Sequence, residues 1–548
     1  MTKNLHSLSA IFLLFLCCLY NSPIIAQAPA IEWEQNYGGS ANDATNDIQQ
    51  TVDGGYILAG YSSSNDGDVS GNQGGPDYWV VKLDESGVLV WQKTLGGTGY
   101  DVAHSVQQTA DGGYIVAGFS NSNDGDVSGN HGDFDYWIVK LDSNGSLIWQ
   151  KSLGGTGDDR AYSIQQTADG GFIVAGESDS NNGDVSGNNG LTDFWVVKLD
   201  ENGVLVWQKS LGGTGYDVAH SVQQTADGGY IVAGESDSNN GDVSGNNGLD
   251  DIWVVKLDEN GMLIWQKSLG GSIGERALSI QETIDGGYIV VGYSNSNDGD
   301  VSENFGGDDM WVVKLDNNGV LVLQKALGGS SLDSAHSIQQ TTDWGYIIAG
   351  QTYSNDGLVS VNNGEVDYWV VKLDDIGTLL WEKALGGTSK DVATSIWQTL
   401  DGGYIVAGYS DSIDGDLSGN YGNIDFWIVK LHCDQPTPPT LPDQEVCDNN
   451  PAYIFDLTQS TQGVAAGLIV SYYPTQQDAE DNTNAIVDPE NFEIPGGTQI
   501  IYVRIDNGNC HEVGSFVIEV VTCPLPDATI VIDVVPSLCY GQETNMEV

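Results

Sequence analysis

Hard oxygen ligands recur along this 548-residue chain in a loop of fixed composition. Asn65-Asp66-Gly67-Asp68-Val69-Ser70-Gly71-Asn72 returns with Asp124 and Asp126 in one copy and Asp298 and Asp300 in another, and each copy runs on to an acid just before a tryptophan, Asp77 in the first. Carboxylate and amide oxygens at that density are the chemistry that holds calcium, so Asp66, Asp68, Asp124, Asp126, Asp298 and Asp300 are calcium candidates. Against them stand the ordinary use of Asp, Asn and Gly in turns, a spacing unlike the Asp-x-Asp-x-Asp-Gly order of calcium loops, and Leu358 at the Asp68 position of a later copy. A second set is imidazole. His104, His220 and His336 fall at one position of alternate copies, and three imidazoles suit zinc. Tyr162, Leu278 and Thr394 hold that position elsewhere, and nothing in the pattern makes the rings converge.

Nucleophile elbows of the Gly-x-Ser-x-Gly type and phosphate-cradling glycine loops at a strand-helix junction are not apparent. Near-identical copies of one segment also make poor material for an active site, which needs unlike groups converging on one point. The expectation is a protein that is not an enzyme and carries no cofactor other than the calcium considered above.

A repeat must position these residues. Trp33, Trp91, Trp149, Trp207, Trp265 and Trp381 are spaced by 58 residues or a multiple of it, with Leu323 in the vacant place. A second ladder, Trp79, Trp137, Trp195, Trp253, Trp311, Trp369 and Trp427, keeps the same step. One unit reads as four short strands, at residues 105–109, 114–118, 136–141 and 147–151. Period-2 patterning and turn glycines such as Gly112-Gly113 exclude a helical solenoid. A lone four-stranded sheet needs neighbours on both faces, which radial stacking supplies. Ahead of the first unit, Ile31-Glu32-Trp33-Glu34-Gln35 matches a fourth strand, and after the last third strand, residues 426–431, no fourth strand follows. Surplus matches deficit. The sequence predicts an all-β fold, a seven-bladed β-propeller over residues 31–432, closed by residues 31–36 joining the blade built from 395–431.

The strings Ile164-Gln165-Gln166-Thr167, Asp169-Gly170-Gly171-Phe172-Ile173-Val174-Ala175-Gly176 and Phe194-Trp195-Val196-Val197-Lys198-Leu199-Asp200 resemble the blade repeat of secreted propeller proteins from gliding-type bacteria that use type IX secretion. The resemblance spans residues 31–432 and implies an exported or cell-surface protein; it does not fix an activity, because a fold does not. Lys256-Leu257-Asp258-Glu259-Asn260-Gly261, leading to Trp265, is similar to the tryptophan-docking motif of quinoprotein propellers but one residue shorter. Residues 31–432 also contain no cysteine for the pair such enzymes often use.

Residues 1–26 read as a signal peptide, with Lys3, an apolar run at 10–16 and a small-residue exit at Ala26-Gln27-Ala28. The run is too short to span a membrane. Export leaves Cys433, Cys447, Cys510, Cys523 and Cys539. Four prolines within 434–445 mark a stiff linker. Residues 447–523 carry apolar runs that suggest a small β-sandwich, similar to the immunoglobulin-like, adhesin-type modules that follow such propellers. Cys447 and Cys510 bracket it and are the first choice for a disulfide, with Cys433–Cys523 second. Residues 525–548 read as the start of a further module cut short; the sorting domain that usually ends such proteins is not visible in them.

A formal charge of −58, from 18 Lys and Arg against 76 Asp and Glu, argues against nucleic acid as a partner. The 72 glycines and 40% apolar residues describe a turn-rich β-protein and not an acidic disordered tail. The functional expectation is an exported, non-enzymatic, monomeric binding or adhesion protein that presents propeller loops to an extracellular glycan or protein, with no membrane insertion. The alternatives are an extracellular propeller enzyme acting on glycans or dependent on a quinone, and a purely structural surface component.

Overall fold

The computed structural model describes residues 28–433, 441–447, 453–462, 464, 468–506 and 510–522. The expected signal peptide (1–26), residues 434–440 of the linker, Cys523, Cys539 and the segment 525–548 lie outside them. The chain divides into two compact units, Met1–Asp434 and Gln435–Val548.

In the first unit every repeat folds as an antiparallel four-stranded sheet. The second blade shows the pattern: an inner strand Asp101–Gln108, a second strand Tyr114–Ser120, a third strand Asp135–Leu141 and an outer strand Leu147–Leu153. The third strand is buried along its whole length while the outer strand is half-exposed, which is why the third is mostly apolar and the fourth mixes apolar with polar residues. The seventh sheet contains Asp391–Gln398, Tyr404–Ser410 and Asp425–Leu431, and its outer place is taken by Ile31–Tyr37. The register runs antiparallel from Trp33↔Lys430 to Tyr37↔Phe426. Glu34 completes the substitution chemically. Where Gln92 accepts the indole N–H of Trp79 in the first blade at 3.0 Å, Glu34 accepts that of Trp427 at 3.2 Å. The expected closure is present.

The core consists of layers between neighbouring sheets. One layer joins Tyr78, Val80 and Leu95 of the first blade to Val116, Trp137 and Val139 of the second, and another joins Trp79 of the first blade to Phe426 and Ile428 of the seventh. Each third-strand tryptophan is fully buried, and Trp79, Trp137, Trp195, Trp253 and Trp427 lie under an aromatic ring of the preceding blade, as with Tyr78 and Trp137 at 4.4 Å between centroids, where the Tyr78 hydroxyl donates to the Trp137 carbonyl at 2.7 Å. A side chain so enclosed contributes on the order of 3–5 kcal/mol against truncation to alanine.

The second unit is also β. Its sheet runs in the order Gln444–Cys447, His511–Val521, Thr498–Asp506, Ile469–Tyr473, the first pair parallel and the others antiparallel. A two-stranded ladder, Ile454–Phe455 with Phe492–Glu493, adds a second small sheet. Phe455, Ile494, Ile501, Val503, Phe516 and Ile518 form its core.

This register corrects the first-choice disulfide. Cys447 pairs with Val521, at the far end of the eleven-residue strand whose near end follows Cys510. At about 3.3 Å per residue the two cysteines are roughly 30 Å apart, against the ~7 Å Cα separation a disulfide tolerates. The bracketing positions in sequence are opposite ends of one strand in space. The disulfide-bonded cysteines among the described residues are Cys433 and Cys510.

Candidate functional site

The calcium candidates lie on the face formed by the connections between blades and between second and third strands, and they work there as acceptors for backbone. Asp66 takes the Ser40 N–H at 2.8 Å, Asp124 the Thr98 N–H at 2.8 Å and Asp298 the Ser272 N–H at 2.7 Å. Asp68, Asp126 and Asp300 take Gly38, Gly96 and Gly270 N–H at 3.3–3.4 Å. Each carboxylate fastens its loop to the connection entering its own blade. Asp77 is fully buried, one oxygen accepting Gln73 N–H at 2.7 Å. The other faces Gly96 beside Asp101 of the next blade and has no hydrogen-bond donor among the described residues, as at every equivalent position. Burial, with Asp101 and Asp126 adding repulsion, pushes the Asp77 carboxyl up to about 7.

The histidine position falls on a β-bulge in every inner strand, between Ala103 and Ser105 in the second blade and at the matching place in the others. A bulge re-aims its side chain, and these aim along the ring toward the neighbouring blade. Asn46 donates to the Ala103 carbonyl at 2.7 Å and His336 Nδ1 to the Ala393 carbonyl at 2.7 Å. His104 sits between Phe119 and Tyr162 at 5.4 and 5.0 Å, where burial lowers its pKa to about 4. His220 Nε2 meets Glu235 Oε2 at 2.7 Å. His104 and His220 thus both lie against the Tyr162 ring, at 5.0 and 5.3 Å, while His336 stands at a different junction. No group of three or more His, Cys, Asp or Glu side chains suited to a metal exists among the described residues.

Inner strands also line the axial cavity, about 190 Å³. Asp47 in the first blade and Ser105, Ser279, Ser337 and Ser395 at its position in others line one level, and Gln107, Gln165 and their equivalents form another with Trp397 in the seventh. The glutamines are tied to backbone: Gln108 N–H donates to Gln49 Oε1 at 2.7 Å, and Gln398 N–H to Gln339 at 2.5 Å. Asp47 accepts from Val106 N–H and Ser395 Oγ at 2.9 Å each, and burial raises its carboxyl to about 6.

Unlike groups do converge on the loop face over the third, fourth and fifth blades. Tyr162, Glu177, His220, Glu235, Asp250 and Arg276, with Tyr216 at the rim, line a cavity of about 400 Å³. Glu235 lies between His220 and the Arg276 guanidinium, 3.5 Å from Arg276 Nε. Glu177 accepts the Tyr162 hydroxyl at 2.8 Å and lies 3.4 Å from Arg160, which stacks over Phe134 at 4.8 Å. Burial raises the Asp250 carboxyl, against the pull of Arg276. The Tyr162 hydroxyl is held protonated by burial and by Glu177. Tyr216 is 55% exposed. The pocket thus offers hydrogen-bond acceptors, a fixed guanidinium, imidazole and aromatic surface within one concavity.

Sequence reasoning singled out only Tyr162 and His220 here, and for another purpose. A signal existed in the columns of the repeat. The Glu177 and Glu235 position holds Tyr61, Phe119, Tyr293, Gln351 and Tyr409 in the other blades, and Arg160 and Arg276 replace Ala44, Val102, Val218, Ser334 and Val392. These departures cluster only when blades 3 to 5 are neighbours in a ring.

With that geometry established, similarity to known proteins can be placed on it. Residues 443–524 match the family described as the Flavobacterium inter-domain disulphide bond domain. The regulatory protein FlaEY of Caulobacter vibrioides is 24% identical over 411 residues, covering 66% of this chain and 42% of that protein. The chain thus spans less than half the length of this relative. Among solved structures, Sqt1 from Chaetomium thermophilum is similar at 12% identity with a TM-score of 0.37, over 73% of this chain and 100% of that one. YCF48 bound to a D1 peptide is similar at 10% identity with a TM-score of 0.36, over 75% and 99%.

Proposed function

We propose that the protein is an exported, non-enzymatic binding protein whose ligand site is the pocket over the third to fifth blades, taking an extracellular glycan or protein. The observation that carries this is the convergence of Glu177, His220, Glu235, Asp250 and Arg276 in one 400 Å³ concavity of an otherwise repetitive ring. Fixed, mutually hydrogen-bonded polar groups beside exposed aromatic surface suit a ligand recognised by hydrogen bonds and ring stacking. Export is supported by disulfide-bonded Cys433 and Cys510, since disulfides persist in oxidising compartments, and by the signal-like amino terminus. No helix among the described residues is long and apolar enough to cross a membrane.

A glycan and peptide array probed with the mature protein and with Glu235→Gln tests the assignment. Binding is expected for the wild type and a loss of roughly tenfold or more for the variant, since one removed charge leaves Arg276 and His220 without their shared partner. Binding unchanged in Glu235→Gln would move the site elsewhere, and turnover of a bound glycan would replace binding with catalysis.

A further inference from the structure

The outer strands carry a packing device that serves as its own control. The indole of Trp33 lies on Gly87 of the next blade, and the arrangement repeats through Trp265 on Gly319. Gly87 and Gly319 have φ of 80° and 76°, and a Cβ there would meet ring carbons at 2.8–3.0 Å, so the turn is shaped to seat a flat ring. The same indoles stand against an aromatic ring of that blade, Trp33 against Tyr56 at 5.8 Å and Trp265 against Tyr288 at 5.9 Å.

Between the fifth and sixth blades the seat is the same and the occupant is smaller. Leu323 lies over Gly377, and Tyr346, the equivalent of Tyr56, has the Lys314 ammonium 5.9 Å from its ring centroid. Two further departures fall beside this seat, each aliphatic where other copies are polar. Leu358 stands at the Asp68 position, and Ile376, 70% exposed, stands where other turns have Ser86 or Asn144. Leu323, Leu358, Ile376, Gly377 and Leu379 line a groove of about 560 Å³. Three independent replacements, all toward aliphatic side chains, surround the one junction where the repeat's own ring is missing.

We propose that this groove is a binding site for a small free aromatic molecule of indole size, seated beside Leu323 against Leu358, Ile376 and Leu379. The occupant's class follows from the equivalent seats, which the fold fills with an indole. The driving force is burial of a flat apolar face against aliphatic walls that are otherwise hydrated. An apolar seat that its own side chain only partly fills takes up such ligands when its walls are already in place. The site is separate from the polar pocket of the third to fifth blades and does not depend on that assignment.

Titration of the full chain with indole, followed by calorimetry and by saturation-transfer NMR of the indole protons, tests the proposal. One saturable site is expected. Leu323→Trp restores the residue of the other copies, so it should keep or raise the melting temperature while weakening indole binding roughly tenfold or more. Trp265→Leu, whose seat at Gly319 carries Asp300 and Asn318 where this one has Leu358 and Ile376, should leave the stoichiometry at one; should that variant fail to fold, the Leu323→Trp comparison decides alone. Absence of saturable binding to the wild type, or an affinity unchanged in Leu323→Trp, would overturn the site. Cyclohexanol binding as well as indole would overturn the aromatic class, and N-acetyl-tryptophanamide binding more tightly than indole would overturn the assignment to a free molecule.

Discussion

The axial cavity and the face pocket are both built from the inner strands, yet they treat the repeat in opposite ways. Around the axis, serine and glutamine recur blade after blade, and their side chains are consumed by the backbone of the neighbouring blade, as in Gln108 N–H to Gln49. On the loop face of blades 3 to 5 the same strands carry Arg160, Tyr162, His220 and Arg276, whose partners are other side chains rather than backbone. Repeated polar groups here hold the ring together. The groups that depart from the repeat bond to one another instead.

Truncating one residue of each kind should separate the two roles. Trp253→Ala removes a fully buried ring and should cost about 3–5 kcal/mol, read as a lowered midpoint in chemical denaturation. Arg276→Ala, whose side chain is 45% exposed, should cost under about 1 kcal/mol while abolishing ligand binding on the array. A comparable loss of stability from Arg276→Ala would mean that the pocket is part of the scaffold and the contrast is false.

The scaffold side of this contrast was legible in the sequence because it is periodic. The tryptophan ladders, the turn glycines and the spare strand around Trp33 each mark a place in a fixed step, and a ring is the arrangement that uses all of them. The pocket was not legible because it is aperiodic: Arg160 faces Glu177 within one hairpin, but only the stacking of blades brings Arg276 beside Glu235 of the preceding copy. The histidines are a related case: nothing in their shared position made them converge, and in the ring His104 and His220 lie against Tyr162 while His336 bonds to Ala393 at another junction. The Cys447–Cys510 pairing failed because bracketing in sequence became the two ends of one long strand.

A smaller effect should appear in the pH dependence of the scaffold. Burial pushes Asp77, Asp193 and Asp425 up to about 7 and Asp251, Asp309 and Asp367 to about 6, against an ordinary value near 4. A carboxyl whose folded pKa is raised binds more protons folded than unfolded between those two values. Stability from these groups is therefore present at low pH and is lost as pH rises from about 4 to about 7. Asp111, Asp227 and Asp285 are drawn down to about 2 by hydrogen bonds from Thr109, Thr225, Thr283 and the partner lysines, which outweigh the opposing effect of burial. They lose their contribution only as pH falls below about 4. The melting temperature should consequently be higher at pH 5 than at pH 8, and Asp77→Asn should flatten that slope. A melting temperature that rises toward pH 8 would show that these junctions hold their carboxylates ionised.

The smallest effect sharpens the comparison most. Asp47 is the axial ring's own departure from the repeat, standing where other blades have serine, so by position alone it resembles the pocket residues. Its oxygens, however, are taken by Val106 N–H and Ser395 Oγ. In the next junction Ser105 Oγ accepts Ile164 N–H in the same way at 3.4 Å. Asp47→Ser would therefore re-create the neighbouring arrangement. It should change stability by no more than about 0.5 kcal/mol at pH 5 and leave array binding untouched. Because burial raises the Asp47 carboxyl to about 6, the native residue loses stability as pH rises from about 4 to about 6, and the serine variant should gain on the wild type between pH 5 and pH 8, with most of the gain below about pH 7. Loss of ligand binding in Asp47→Ser would place the recognition site in the axial cavity and reverse the roles assigned to the two surfaces.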